Sequence, residues 1–160
     1  MMKLWLIRHA IAVEADEFPG DDLERPLTTG GRRSAKTAFS QLAKLRRGPD
    51  VIIASEAVRA WETARILGLI FGINEIRRDA RLNPGCRFKD IRKVVASMPS
   101  SVQIAALVGH EPDFSTAVSR WTAHGELVMA FKKGGLVELE LSDDGEATLL
   151  SLVPPDLLGG

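Results

Sequence analysis

The sequence predicts an α/β fold: a three-layer sandwich with a central, mostly parallel sheet and helices on both faces. Three observations lead there. Short apolar runs alternate with stretches of helical periodicity, the strand–helix–strand order that builds a parallel sheet. Two of those runs, VIIAS (Val51–Ser55) and QIAALVG (Gln103–Gly109), are continuously apolar, as strands buried on both faces are. The 160 residues make a single domain, 1–160, long enough to remove roughly 70% of the unfolded surface from water.

The first strand runs from about Lys3 to His9 around the apolar segment LWLI, and a polar, acidic loop follows, EADEFPGDDLERP. A helix should start near Thr28, with Thr28 or Thr29 as N-cap, because a hydroxyl there accepts a hydrogen bond from an unpaired first-turn N–H. Its apolar face is Ala35, Ala38, Phe39, Leu42 and Ala43, at helical spacing, and Gly48-Pro49 stops it. Val51–Ser55 is the second strand, and the helix after it turns Ala57, Ala60, Trp61, Ala64 and Leu67 inward. Ile73–Arg77 reads as a short third strand and KDIRKVVASM as a third helix, closed by Pro99. Gln103–Gly109 is the most strand-like stretch, and Pro112 sits where an N1 proline belongs before the helix DFSTAVSRW. The end changes character: VMAFKKGGLVELELSDDGEATLLSLV predicts two hairpin-connected strands plus a third, antiparallel, with turns at Lys133-Gly134-Gly135 and Asp143-Asp144-Gly145.

Composition narrows the function. Lys+Arg and Asp+Glu both number 21, so the formal net charge is zero. Nucleic-acid and anionic-membrane binders want a basic excess, so neither partner is expected. One cysteine, Cys86, allows no internal disulfide and no multi-cysteine metal site. LWLI is cut short by Arg8, so it does not read as a signal peptide, and Ile66–Ile73 is far too short to span a bilayer. The expectation is a cytoplasmic protein, monomeric by default.

In a parallel sheet the ligand crevice lies outside the carboxyl ends of the strands. Three predicted parallel strands each deliver a cationic or potentially cationic group there. The first ends in Arg8-His9. The second leads into SEAVRAWET, where Ser55 can cap the helix and Arg59 falls in its first turn. The most strand-like stretch ends in VGHEP, which sets His110 before a helix N-terminus. In a chain of zero net charge this cluster describes a pocket for phosphate or a similar oxyanion. Arginine offers bidentate donors to phosphate oxygens. A neutral imidazole can take a phosphoryl group covalently, dividing one displacement into two, while the other cations stabilise the transition state. That scheme requires no metal and no cofactor. His124, in TAHGE, reads as a surface residue.

The segments LIRHA, RPLTTGG, SEAVRAWET and VGHEP together resemble the histidine phosphatase superfamily, of phosphoglycerate mutase-like fold, over at least Lys3 to Asp113. Short length and RPLT point to its small SixA-type phosphohistidine phosphatases. The resemblance implies a metal-independent phosphatase with a place in signal transduction. By resemblance His9 is the nucleophile, Arg8 and Arg59 are phosphate ligands, His110 is the second pocket histidine, and Arg25 of RPLT lies beside the phosphate. Ala10 replaces the family's usual glycine after the nucleophile, and Glu56 stands where proline is common. Many relatives carry a carboxylate after the third strand to protonate the leaving oxygen, but RLNPG (Arg81–Gly85) has none. That favours phosphohistidine, whose P–N bond has a better leaving group, although Glu111, Glu14 or Asp16 could replace the acid. The substrate is then a phosphorylated protein carrying phosphohistidine. A small phosphorylated metabolite handled by a phosphomonoesterase or mutase, or a phospho-ligand sensor without turnover, are the alternatives.

A rival motif, Cys86 to Arg92, has the Cys-x5-Arg spacing of cysteine-dependent phosphatases. It lacks a glycine between the two and runs into a helix, so it reads as coincidence.

Overall fold

A computed structural model describes residues 1–160. The strands are β1 (Met2–Arg8), β2 (Val51–Ala54), β3 (Ile76–Arg78), β4 (Ile104–Gly109), β5 (Leu136–Leu141) and β6 (Ala147–Val153). The helices are α1 (Thr29–Leu45), α2 (Val58–Phe71), α3 (Phe88–Ala96) and α4 (Asp113–Ala123). All six strands form one sheet in the order β3-β2-β4-β1-β5-β6. β1, β2, β3 and β4 pair in parallel, and the β5–β6 hairpin joins β1 antiparallel.

Strand alternation divides the core. Leu4 and Leu6 of β1 pack with Ile91, Phe114 and Val118 of α3 and α4. Trp5 and Ile7 face the other way, onto Phe39, Ala60 and Leu67 of α1 and α2. The α1 N-terminus forms as its sequence demands, with Thr28 Oγ1 accepting the Gly31 N–H at 2.9 Å. Gly31 is there for room: a Cβ would lie 2.0 Å from the Ile11 carbonyl oxygen. The helix thus rests directly on the loop that follows β1.

Several boundaries differ from the sequence reading. The strand expected before Lys133 does not form, because β5 has β1 on one side and β6 on the other, which leaves it no free edge. β3 begins three residues later than predicted, at Ile76, since the Ile73 N–H returns to the Gly68 carbonyl at 2.8 Å to close α2. Pro112 is the N-cap of α4 rather than N1, its carbonyl already accepting the Thr116 N–H at 3.0 Å. Ala43 and Trp61 are half-buried, Trp61 lying under the Arg78 guanidinium at 4.4 Å. The C-terminal LVPPDLLGG packs on the body, with Leu158 against the α1–α2 core. No helix is long and apolar enough to cross a membrane.

Candidate active site

Register gathers the site. Arg8 pairs with Gly109, and Ala54 with Val108, so β1, β2 and β4 end level with one another. The chain continues the ladder beyond them: the His9 N–H donates to the Gly109 carbonyl and the Ser55 N–H to the Val108 carbonyl, each at 3.0 Å. His9, Ser55 and His110 therefore leave the sheet side by side. The rings of His9 and His110 stand 5.3 Å apart, centroid to centroid.

His9 is buried, and its Nδ1 lies 2.7 Å from the Ala10 carbonyl oxygen. A carbonyl only accepts, so Nδ1 carries the hydrogen and Nε2 of the neutral ring is a bare lone pair. Alanine serves at position 10 because what is used there is a carbonyl, and the residue has no positive φ. Two contacts hold this backbone. The Ala10 N–H donates to Thr63 Oγ1 at 3.1 Å, and the Thr63 hydroxyl donates to the Arg59 carbonyl. From the far side the Gly134 N–H bonds the Arg8 and His9 carbonyls, in a turn whose φ of +79° suits glycine. Burial pushes the His9 pKa down to about 4, with the Ala10 carbonyl opposing and Arg59, Arg8 and Lys133 adding to the fall.

Arg8 and Arg59 are both held. Arg8 Nη1 donates to the Phe131 carbonyl at 2.7 Å. Arg59, 3% exposed despite its place in a first helical turn, donates through Nη1 to the Asp22 carbonyl and through Nη2 to Asp22 Oδ2. Arg25 reaches the site through the same carboxylate, its Nε 3.0 Å from Asp22 Oδ1 and its Nη1 on the Val13 carbonyl. Asp22 therefore bridges two arginines, a carboxylate where two guanidinium groups converge. Burial acts to raise its pKa, but Arg25 and Arg59 outweigh it and hold the carboxyl below its ordinary value.

His110 contacts Ser55 Oγ through Nε2 at 2.9 Å. Burial pushes its pKa down to about 3, and His9 and Arg59 add to the fall. Four buried side-chain polar atoms have no partner, and three of them are Arg8 Nε, Arg59 Nε and His110 Nδ1. Buried polar atoms without partners are rare, and three of these four belong to residues at the ends of β1 and β4 and the start of α2.

The helix starts offer an anion less than the sequence suggests. Glu111 Oε1 accepts the Ser115 N–H of α4 at 2.8 Å, and Ser55 Oγ accepts the Ala57 N–H before α2. Of the three carboxylates considered as acids, Glu111 has that backbone contact, Glu14 lies 3.7 Å from Lys133, and Asp16 is exposed. His124 is exposed, at the C-cap of α4. Cys86 has none of the features of a nucleophile: burial, with Asp113 and Asp90 nearby, pushes its thiol up to about 12.

Sequence reasoning missed Asp22, Thr63 and Asn83. Asp22 had a signal, the three-residue spacing to Arg25, but nothing in the sequence pairs it with Arg59 across 37 positions. Asn83 accepts the Glu56 N–H at 2.9 Å and returns an amide N–H to the Glu56 carboxylate, a contact between two loops that only the fold brings together.

The family model described as histidine phosphatase superfamily (branch 1) matches residues 4–84, just over half of the chain, including Arg8, His9, Arg25 and Arg59. The chain belongs to the histidine phosphatase superfamily. Among solved structures of this superfamily's fold it resembles a candidate phosphohistidine phosphatase SixA of Agrobacterium tumefaciens, with a TM-score of 0.81 and 26% identity over 96% of this chain and 98% of that one. A SixA candidate of Nakamurella multipartitia gives a TM-score of 0.81 and 25% identity over 96% of each chain. The fold also matches that of the protein histidine phosphatase SixA solved with tungstate, at a TM-score of 0.88 and 20% identity over 98% and 99% of the chains. An uncharacterized protein of Picosynechococcus sp. is 36% identical over 66 residues, 41% of this chain, and the match spans only 39% of that protein's length.

Proposed function

We propose that this protein is a phosphatase that carries the phosphoryl group on His9, and that its substrate is a phosphohistidine side chain of another protein. The observation that carries the reading is the trio of unpartnered buried atoms on Arg8, Arg59 and His110 beside a histidine with a free Nε2. In the first step the His9 Nε2 lone pair attacks phosphorus and the P–N bond of the substrate breaks. Positive charge then grows on the His9 ring, and the Ala10 carbonyl stabilises it through Nδ1–H. The arginines take the charge of the equatorial oxygens. In the second step water attacks phosphorus, inorganic phosphate leaves, and Nε2 regains its lone pair.

Leaving-group chemistry favours phosphohistidine. An alkoxide needs a proton as it departs, and Asp22, the carboxylate between the two site arginines, is held ionised by them and is no ready donor. A phosphohistidine protonated on its distal nitrogen departs as neutral imidazole and needs none. Hydrolysis of a phosphohistidine protein and of an alkyl phosphomonoester such as glycerol phosphate, each in EDTA by wild type and His9→Ala, tests the reading. Turnover by wild type alone, faster on phosphohistidine, is expected. Equal turnover by His9→Ala would refute the nucleophile, and faster turnover of the ester would refute the substrate class. Phosphate binding with no turnover of either would identify a sensor.

A further inference from the structure

The hydrogen bonds around Ser55 determine which nitrogen of His110 carries its hydrogen. Asn83 Oδ1 faces the Glu56 backbone N–H, which can only donate, and Asn83 Nδ2 faces the Glu56 carboxylate, which accepts. The amide therefore has one orientation. Ser55 Oγ lies 3.1 Å from Asn83 Oδ1, an acceptor, so the serine hydrogen points there. Its lone pairs are left for the Ala57 N–H at 3.1 Å and for His110 Nε2 at 2.9 Å. His110 Nε2 must then be the donor, and Nδ1 of the neutral ring is a bare lone pair, buried and without a protein partner. His9 has the opposite tautomer, with its hydrogen on Nδ1.

We propose that Asn83 and Glu56 are positioning residues that act through Ser55 to hold neutral His110 in its Nε2–H form, so that a phosphoryl dianion without a hydroxyl hydrogen of its own binds at Nδ1 together with one proton. The lone pair would repel a phosphate oxygen, so contact requires a hydrogen between them. The phosphoryl dianion of a substrate, linked through nitrogen or carbon-bound oxygen, has no hydroxyl hydrogen and binds with one proton from solvent, whereas its monoanion brings that hydrogen, and the bound state is the same. The charged and titratable groups around the ring are His9 from the end of β1, Arg59 from α2, and Asp22 and Arg25 from the β1–α1 loop. The cations among them favour a neutral ring until an anion arrives. The proton coupling rests on the phosphatase reading, whereas the tautomer does not.

The test uses the full chain with 15N-labelled histidine, observed by long-range 1H–15N correlation at neutral pH. Only His9, His110 and His124 contribute. Wild type should show His110 as Nε2–H. Asn83→Ala frees the serine hydrogen to turn toward His110, so the ring should become a mixture with Nδ1–H. Asn83→Asp keeps an acceptor facing Ser55 but sets a second carboxylate against Glu56, so Asn83→Asp combined with Glu56→Gln, whose amide donates in the reverse direction, should restore the wild-type tautomer. Methylphosphonate, titrated at alkaline pH where it is a dianion without a hydroxyl hydrogen, should protonate wild-type His110 with uptake of one proton per molecule bound. An Nδ1–H ring in wild type, or an unchanged ring in a folded Asn83→Ala protein, would overturn the tautomer. Methylphosphonate binding without proton uptake would overturn the coupling. The expected tautomers in a protein that neither binds phosphate nor turns over substrate would instead remove the phosphatase reading and leave the positioning role standing.

Discussion

Acidification separates the buried His9 from an ordinary histidine. With its pKa at about 4 rather than 6.5, the ring is about 90% neutral at pH about 5, whereas an ordinary histidine is about 3% neutral there. The nucleophile's contribution to kcat/KM, corrected for the substrate's own ionisation, should therefore stay nearly flat from neutral pH down to about 5, a roughly 30-fold difference from the ordinary case. Stability moves with it. As pH falls below 6.5 the unfolded chain protonates its histidines while folded His9 and His110 stay neutral, so stability is lost through that window until the folded values of about 4 and about 3 are reached. Between pH about 7 and about 5 the loss is about 2 kcal/mol for each of the two rings. Urea unfolding of wild type and His9→Gln at the two pH values reads it, and His9→Gln should lose about half of the acid sensitivity. A kcat/KM limb with its midpoint near 6.5, or equal acid sensitivity in the two proteins, would refute the burial argument.

Arg59→Ala should lower kcat/KM by about 100- to 1,000-fold, since removing one charge-stabilising donor from a transition state costs about 2.7–4 kcal/mol. Steady-state kinetics on any turned-over substrate checks this, and a loss under tenfold would contradict the role. Asp22→Asn should tighten inhibition by inorganic phosphate, because the Asp22 carboxylate competes for Arg59 and Arg25. The carboxylate is half-exposed, so a gain of about 1 kcal/mol, roughly fivefold in the inhibition constant, is expected. Cys86→Ser should keep wild-type turnover, since burial holds that thiol protonated.

Most of the fold was legible because it follows from patterns that burial enforces. Continuously apolar β2 and β4 and the helical spacing of α1 and α2 each admit one reading. The chain's last third was less legible. A strand before Lys133 satisfied every local rule, and only the occupation of both β5 edges excludes it. Among site residues, Arg8, His9, Arg59 and His110 could be named because strand ends of a parallel sheet must converge. Asp22 and Asn83 could not, since a polar loop residue has no periodicity and its partners are fixed by tertiary contact. Even Ala10 and Glu56, noticed as departures from a family pattern, acquired roles only through their hydrogen bonds: one offers a carbonyl, the other holds an amide.

The central claim is a phosphoryl group on His9 Nε2. The most direct measurement quenches the wild-type protein at alkaline pH, which preserves phosphohistidine, during turnover of p-nitrophenyl phosphate, and reads the peptide Leu4–Ala12 by mass spectrometry. A phosphorylated peptide with the group on His9, absent from His9→Ala, is the predicted result. Turnover with no phosphorylated His9 at any quench time, or phosphate found on another residue, would contradict it.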